Sequence, residues 1–226
     1  MFVILIQYRA RGVQAFRRNE IAGALKNFSE YFEKHSVPYK IVICEQNNDD
    51  KFNRGVLLNA AFIESEKMPN SETHKYIHMN GDYRINEGIA FPPDILNFSE
   101  GVLDVHVPPY DVLGACCVFD AKSYSKTNGF PNNLYGWGGD DWAIFRRIRE
   151  RGVKYYRTPL TNSGWILEDR GFSPLTDQSM NNVNIHKGLN EPIDKSGLNN
   201  CRYDICGSGE FHNGQTIFHY SVNFSF

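Results

Sequence analysis

The sequence predicts an α/β fold: a mixed, mainly parallel sheet flanked by helices. Three observations carry this. The chain opens on a continuous apolar and β-branched run, Phe2-Val3-Ile4-Leu5-Ile6, as a strand buried on both faces requires. Strand-like and helix-like periods then alternate as far as Met79, an order that implies right-handed crossovers and parallel pairing. Finally, 226 residues with 41% hydrophobic content suffice for one substantial core, so residues 1–226 are expected to form a single domain.

After the opening strand comes a polar turn, Gln7 to Gly12, and then apolar residues at helical spacing: Phe16, Ile21, Leu25, Phe28 and Phe32. Pro38 closes that connection, and Tyr39 to Cys44 reads as the second strand. A polar loop, Gln46 to Lys51, leads to a second helix through Leu57, Leu58, Ala61, Phe62 and Ile63. The third strand, Tyr76 to Met79, runs into Asn80-Gly81-Asp82. Ligands of such sheets bind beyond the carboxyl ends of the strands, which singles out Arg9, Arg11, Asn80 and Asp82.

The second half is less regular. Val112 to Phe119 is an expected strand, Asn128 to Asn133 a turn cluster, and a helix opens at Asp140 and stops at Gly152. Val153 to Tyr156 reads as a further strand and Thr216 to Phe224 as the last one. Residues 159–200 are rich in Pro, Asn, Gly, Ser and Asp with weak periodicity, and are expected to include a mobile functional loop.

Composition excludes several function classes. A formal charge of −2 with no basic stripe argues against a nucleic-acid partner. No apolar run approaches the roughly 20 residues that span a bilayer, so no membrane segment is expected in this chain. The five cysteines are an odd number without a Cys-x-x-Cys pair. Although Cys201 and Cys206 are close enough to bridge a short loop, the count argues against a disulfide-built fold and for a reducing, cytoplasmic compartment. Three Asn-Phe-Ser triplets match the glycosylation acceptor pattern, which is short enough to arise by chance.

The strongest local feature is Tyr135-Gly136-Trp137-Gly138-Gly139-Asp140-Asp141-Trp142. Glycines around a Trp let the backbone bend closely about a ligand. Two acids then fall at a helix start, where the helix dipole favours their ionised forms and a carboxylate can serve as general base toward a hydroxyl. An ordinary acidic helix start beside a buried Trp accounts for the same residues, and the pattern alone leaves both open. Asn80-Gly81-Asp82, taken alone, reads more simply as a surface turn.

Asn128 to Asp141 resembles the block NGFPNxYWGWGGEDDD of the β-1,4-galactosyltransferases, a family of GT-A glycosyltransferases. Leu113-Gly114-Ala115-Cys116 is similar to that family's FGGV strand, and Phe52 to Asn59 to its nucleotide-contacting FNRAKLLN. Arg9 and Arg11 resemble the arginines of its PxRxR turn, while Ile185-His186-Lys187 and Gly197-Leu198-Asn199 resemble its AHTK and DGLN elements. The glycine–tryptophan block is specific; the others are weak singly and persuasive because they occur in the same order.

The resemblance implies a GT-A-like sheet with a nucleotide-sugar-binding half over about 1–100 and an acceptor-binding, catalytic half over about 101–226. It implies inverting transfer of galactose or N-acetylgalactosamine from a UDP-sugar donor to a carbohydrate or glycoconjugate acceptor. Asp141 matches the catalytic base. Arg9, Arg11, Phe52, Arg54, Asn80, Asp82, Trp137 and Gly138 match donor-binding positions, and Asp140, Tyr135 and Trp142 acceptor-binding ones. Asp82 matches the last acid of the family's DVD metal motif, implying manganese as cofactor, with magnesium as the alternative.

Three departures accompany the match. The first acid of DVD is Asn80 here, and the third acid after the glycines is Trp142. The family's downstream Met-x-x-His should fall near Ile166 to Arg170, where no His exists; Glu168, Asp169 or the more distant His186 are the candidate replacements. Val112 falls where the family carries a larger aromatic beside the donor sugar's C2 group, implying a roomier donor pocket. The thinned metal motif also fits a rival reading, a nucleotide-sugar- or carbohydrate-binding protein without turnover. A nucleotide hydrolase is disfavoured, since no Gly-x-x-x-x-Gly-Lys loop is present.

Overall fold

The structure, a computed structural model, describes residues 1–9, 17–105, 116–136, 138–158, 165–168, 195–211 and 217–224. Strand β1 (Phe2–Tyr8) is buried along its whole length, as its unbroken apolar run demands. It pairs in parallel with β2 (Tyr39–Gln46) on one side and β3 (Lys75–Met79) on the other. Helix α1 (Arg17–Lys34) makes the first crossover, burying Ile21, Ala24, Phe28, Tyr31 and Phe32, one stripe at helical spacing. Helix α2 (Arg54–Ser65) makes the second and is buried nearly all round, because the sheet covers one side and later chain segments the other.

Short elements follow: β4 (Tyr83–Ile85), α3 (Pro93–Leu96), β5 (Val102–Asp104), β6 (Cys116–Asp120) and α4 (Ala121–Thr127). Helix α5 (Asp140–Glu150) precedes β7 (Tyr155–Arg157), β8 (Ile166–Glu168), β9 (Asp204–Phe211) and β10 (Ile217–Asn223). Among the described residues the main sheet has eight strands in the order β7-β5-β6-β3-β1-β2-β10-β9. Its β7–β5, β3–β1, β1–β2 and β2–β10 pairs are parallel and the other three antiparallel, so the expectation of a mixed, mainly parallel sheet is met. The last strand returns across the molecule to lie beside β2, tying the two ends of the chain into one sheet.

Alternating side chains of the sheet feed two cores. One holds Ile4, Ile6, Ile77 and Met79 against α1, with Phe91 and Trp165. The other holds Val3, Leu5, Tyr76 and Cys117 against α2, with Phe130 and Ile144. Helices therefore cover both faces of the sheet.

The structure corrects several boundaries. Gln7 and Tyr8 belong to β1 rather than to the turn after it, and Glu45 and Gln46 extend β2. The expected strand from Val112 begins at Cys116 within the described residues, and the strand expected at Val153 begins at Tyr155. Inside the stretch 159–200, residues 166–168 form a strand paired with β4; the rest of that expected loop lies outside the described residues, apart from Trp165 and 195–200. All five cysteines are free, Cys201 and Cys206 included. No helix among the described residues is long and apolar enough to cross a membrane.

Candidate active site

The site is assembled where α2 and α5 both begin, beside the carboxyl end of β3. Helix α2 starts at Asn53, whose side chain accepts from Val56 N at 3.0 Å and whose amide donates to the Asn132 carbonyl at 2.7 Å. Gln46, fully buried at the end of β2, anchors this start. Its Oε1 accepts from Asn53 N at 3.0 Å, while its Nε2 donates to Asn48 Oδ1 and the Asp50 carbonyl. The loop before α2 is thus shaped by one glutamine.

The segment 128–136 is held as firmly. Asn59, buried in α2, donates to the Phe130 carbonyl at 2.7 Å and to Asn132 Oδ1 at 2.8 Å, and accepts from Phe130 N at 3.0 Å. From α5, the buried Arg147 donates to the carbonyls of Asn128 and Gly129. Asn132 Nδ2 donates to the Gly197 carbonyl at 2.9 Å. Gly136 N donates to the Phe52 carbonyl at 2.7 Å, so the glycine-rich turn is tied to the loop that launches α2. Gly136, Gly138 and Gly139 have φ of 84°, 97° and 90°, left-handed conformations that side chains resist, which explains the repeated glycine. Gly139 is the cap of α5, and Asp140 and Asp141 occupy its first turn.

Arg54, the first residue of α2, lies between these acids. Its Nη1 donates to Asp141 Oδ1 at 2.7 Å and also to Asp140 Oδ2, and its Nη2 donates to His78 Nε2 at 2.9 Å. The Arg54 and Asp140 side chains are 13% and 10% exposed and that of Asp141 is 30%, so Asp141 is the acid more open to an incoming molecule. Burial pushes the Asp141 carboxyl up to about 6; the Arg54 charge opposes that rise and the Asp140 charge reinforces it. Burial and the Arg54 charge push His78 well below the ordinary imidazole range, so its ring is neutral.

Of the other residues singled out by sequence, Arg9 follows β1 and donates to the Asp50 carbonyl. Asn80 and Asp82 follow β3; Asn80 Oδ1 accepts from Gln7 Nε2 at 2.8 Å, and the Asn80 carbonyl accepts from Tyr83 N at 3.1 Å. A Cβ on Gly81 would collide with Ile21 Cδ1 of α1, so the middle position of Asn-Gly-Asp is filled by the neighbouring helix. Phe52 and Tyr135 pack, half-buried, on the α2-side core, and Trp142 is half-buried in the first turn of α5. Arg11, Trp137, Val112, Asp169 and His186 lie outside the described residues.

Among the described residues no group of three or more His, Cys, Asp or Glu is placed to hold a metal ion by itself. The donors do fit a hard cation arriving with a diphosphate, since such ions use one or two carboxylates plus phosphate oxygens. Asp82 lies just beyond β3 as a carboxylate of that kind, and the β4–β8 pairing sets the backbone of Glu168 opposite that of Tyr83, the residue after Asp82.

His78, Gln46, Asn59 and Arg147 were not singled out by sequence. The one available signal was a polar residue inside an otherwise apolar strand or helix, as with His78 in Lys75–Met79.

Comparison with known proteins bears on the family and the fold. The model described as the N-terminal region of glycosyl transferase group 7 matches residues 2–80, and that described as the N-terminal domain of galactosyltransferase matches residues 100–166. The catalytic domain of Drosophila β1,4-galactosyltransferase 7, solved in complex with xylobiose, superposes with a TM-score of 0.75 over 100% of this chain and 94% of its own, at 18% identity. A mutant of that protein, in complex with manganese, UDP-Gal and xylobiose, superposes equally well. Human β-1,4-galactosyltransferase 7 is 23% identical over 199 residues, 84% of this chain and 58% of the relative. Danio rerio β-1,4-galactosyltransferase 5 is 26% identical over 128 residues, 55% of this chain and 34% of the relative. The chain thus spans less than two thirds of the length of these curated relatives.

The fold is that of a GT-A glycosyltransferase. The chain belongs to the β-1,4-galactosyltransferase family, as its two matching segments and its collinear motifs indicate.

Proposed function

We propose that this protein is an inverting glycosyltransferase that moves galactose or N-acetylgalactosamine from a UDP-sugar to a carbohydrate hydroxyl. The observation that carries the reading is the pair Asp140 and Asp141, clamped by Arg54 at the start of α5, with Asp141 partly open and its carboxyl raised to about 6. A base with that affinity is ionised at neutral pH yet accepts a proton better than an ordinary aspartate, the compromise that general-base catalysis favours.

Asp141 takes the proton of the acceptor hydroxyl as that oxygen bonds to the anomeric carbon. The bond from that carbon to the diphosphate oxygen breaks on the opposite face, its electron pair leaves with UDP, and the configuration inverts. Asp140, Tyr135 and Trp142 are assigned to the acceptor. Arg9, Arg11, Phe52, Arg54, Asn80, Trp137 and Gly138 are assigned to donor binding by the family resemblance, and Arg54 holds the carboxylates in register with the start of α2. Asp82 would hold the divalent cation, manganese or magnesium, with Asp169 or His186 as further ligands; when bound, the cation supplies positive charge to the departing diphosphate. The xylobiose and UDP-Gal bound by the Drosophila relative are ligands of the class this reading expects.

The test is release of UDP from a panel of UDP-sugars, with and without saccharide acceptors. Acceptor-stimulated release supports transfer. Binding of a UDP-sugar without any release would favour the alternative, a non-catalytic binding protein.

A further inference from the structure

His78 is fully buried in β3, on the face of the sheet that carries α2. Its ring stands edge-on to Phe130 with centroids 5.2 Å apart, and the Arg54 guanidinium lies over the same Phe130 ring at 5.7 Å. Arg54 Nη2 is 2.9 Å from His78 Nε2. A guanidinium has no lone pair to offer, so its N–H donates and His78 Nε2 accepts. That bond fixes the tautomer: the His78 proton sits on Nδ1, which is buried and has no hydrogen-bond partner among the described residues. A buried imidazole with an orphan N–H opposes folding, and an apolar side chain would fill this strand position without that cost. Packing therefore does not explain the residue; the lone pair it turns toward Arg54 does.

We propose that His78 is a positioning residue for the proposed catalytic pair: its Nε2 holds the Arg54 guanidinium so that Nη1 faces Asp140 and Asp141 together. This rests on the transferase reading for its catalytic consequence, but not for its geometry. A neutral acceptor suits the place, because it orients Arg54 without competing for its charge. Among the described residues, the titratable groups facing Asp141 are Arg54 of α2, Asp140 of its own helix, Asp104 of β5 and Cys117 of β6. Only Arg54 among them is a cation, so its orientation governs how readily Asp141 gives up its proton.

The experiment compares wild type with His78→Met, which keeps the volume and removes the acceptor, and His78→Gln, which returns an acceptor at similar reach. The titration midpoint of the Asp141 carboxyl is read by carbon NMR, and kcat and KM by UDP release. In His78→Met the midpoint moves by about half a unit or more, and kcat falls about tenfold with KM for the UDP-sugar little changed. His78→Gln returns both toward wild type. A folded His78→Met with an unmoved Asp141 midpoint overturns the proposal. Should that variant not fold, nitrogen NMR of wild type decides: a proton on Nδ1 supports the assignment and a proton on Nε2 overturns it. A wild type that never transfers sugar, together with the expected midpoint shift in His78→Met, counts against the transferase reading and leaves the positioning role standing.

Discussion

Arg54 donates to Asp141 at 2.7 Å across a sequence separation of 87 residues, joining the first turn of α2 to the first turn of α5. The proposed base is therefore held by a cation at the start of α2, which pairs with Asp140 as well and so ties the two helix starts together. Its consequence for pH follows from the raised Asp141 carboxyl. A carboxyl whose folded affinity for protons exceeds its unfolded value near 4 lends stability fully below that value and loses it as pH rises through about 6. Activity runs the other way, since the base must be ionised. We expect kcat/KM to fall with acid below a midpoint of about 6, and Asp141→Asn to melt at a less pH-dependent temperature between pH 4 and 7 than wild type. Parallel pH profiles of rate and melting temperature check both.

Gly81 tests the packing that shapes the donor end of the sheet. A side chain there would displace Ile21, which seats α1 on β1 and β3. Gly81→Val is expected to destabilise the protein by about 1–3 kcal/mol, the usual cost of overpacking. Chemical denaturation measures it, and Ile21→Ala in the same chain should recover part of the loss.

Much of this architecture was legible. The opening strand, the two crossover helices and the carboxyl end of β3 follow from apolar runs and helical spacing, which report burial directly, whereas β1 runs on through the polar Gln7 and Tyr8 beyond its apolar run. The acidic start of α5 was legible for the same reason that it is specific: three glycines in left-handed conformation cannot be exchanged for other residues. What could not be read were long-range polar contacts. Arg54 meeting His78, and Asn59 meeting Phe130 and Asn132, depend on which elements the fold brings together, and no local period encodes that. The short strands β4, β5 and β8 are not legible in the sequence because three residues carry too little alternation.

Binding of UDP should depend on a divalent cation through Asp82, an oxygen donor suited to hard ions. We expect manganese to raise the melting temperature of the wild type in the presence of UDP, as binding to the folded state must. Asp82→Ala should abolish that gain. Equal UDP binding in manganese and in excess chelator would contradict this role.

Donor choice is expected to be relaxed. By the family resemblance Val112 stands where a larger aromatic is usual, and on the proposed reading the smaller side chain would admit an acetamido group at C2 of the donor sugar. Pocket volume alone discriminates by about 1–3 kcal/mol, so UDP-N-acetylgalactosamine should serve at least as well as UDP-galactose rather than exclusively. Initial rates with both donors, for wild type and Val112→Tyr, measure it. Strong preference for UDP-galactose, unchanged in Val112→Tyr, would remove Val112 from this role.

The central claim is that Asp141 is the base of a sugar transfer. Its most direct test is single-turnover transfer by Asp141→Asn, with UDP-sugar binding measured on the same preparation. The amide keeps the shape and a hydrogen bond to Arg54 but cannot take the proton. We expect the rate to fall about 10²–10⁴-fold, the usual worth of a general base, with donor affinity retained. Transfer at the wild-type rate by Asp141→Asn would contradict the account and require another residue as base.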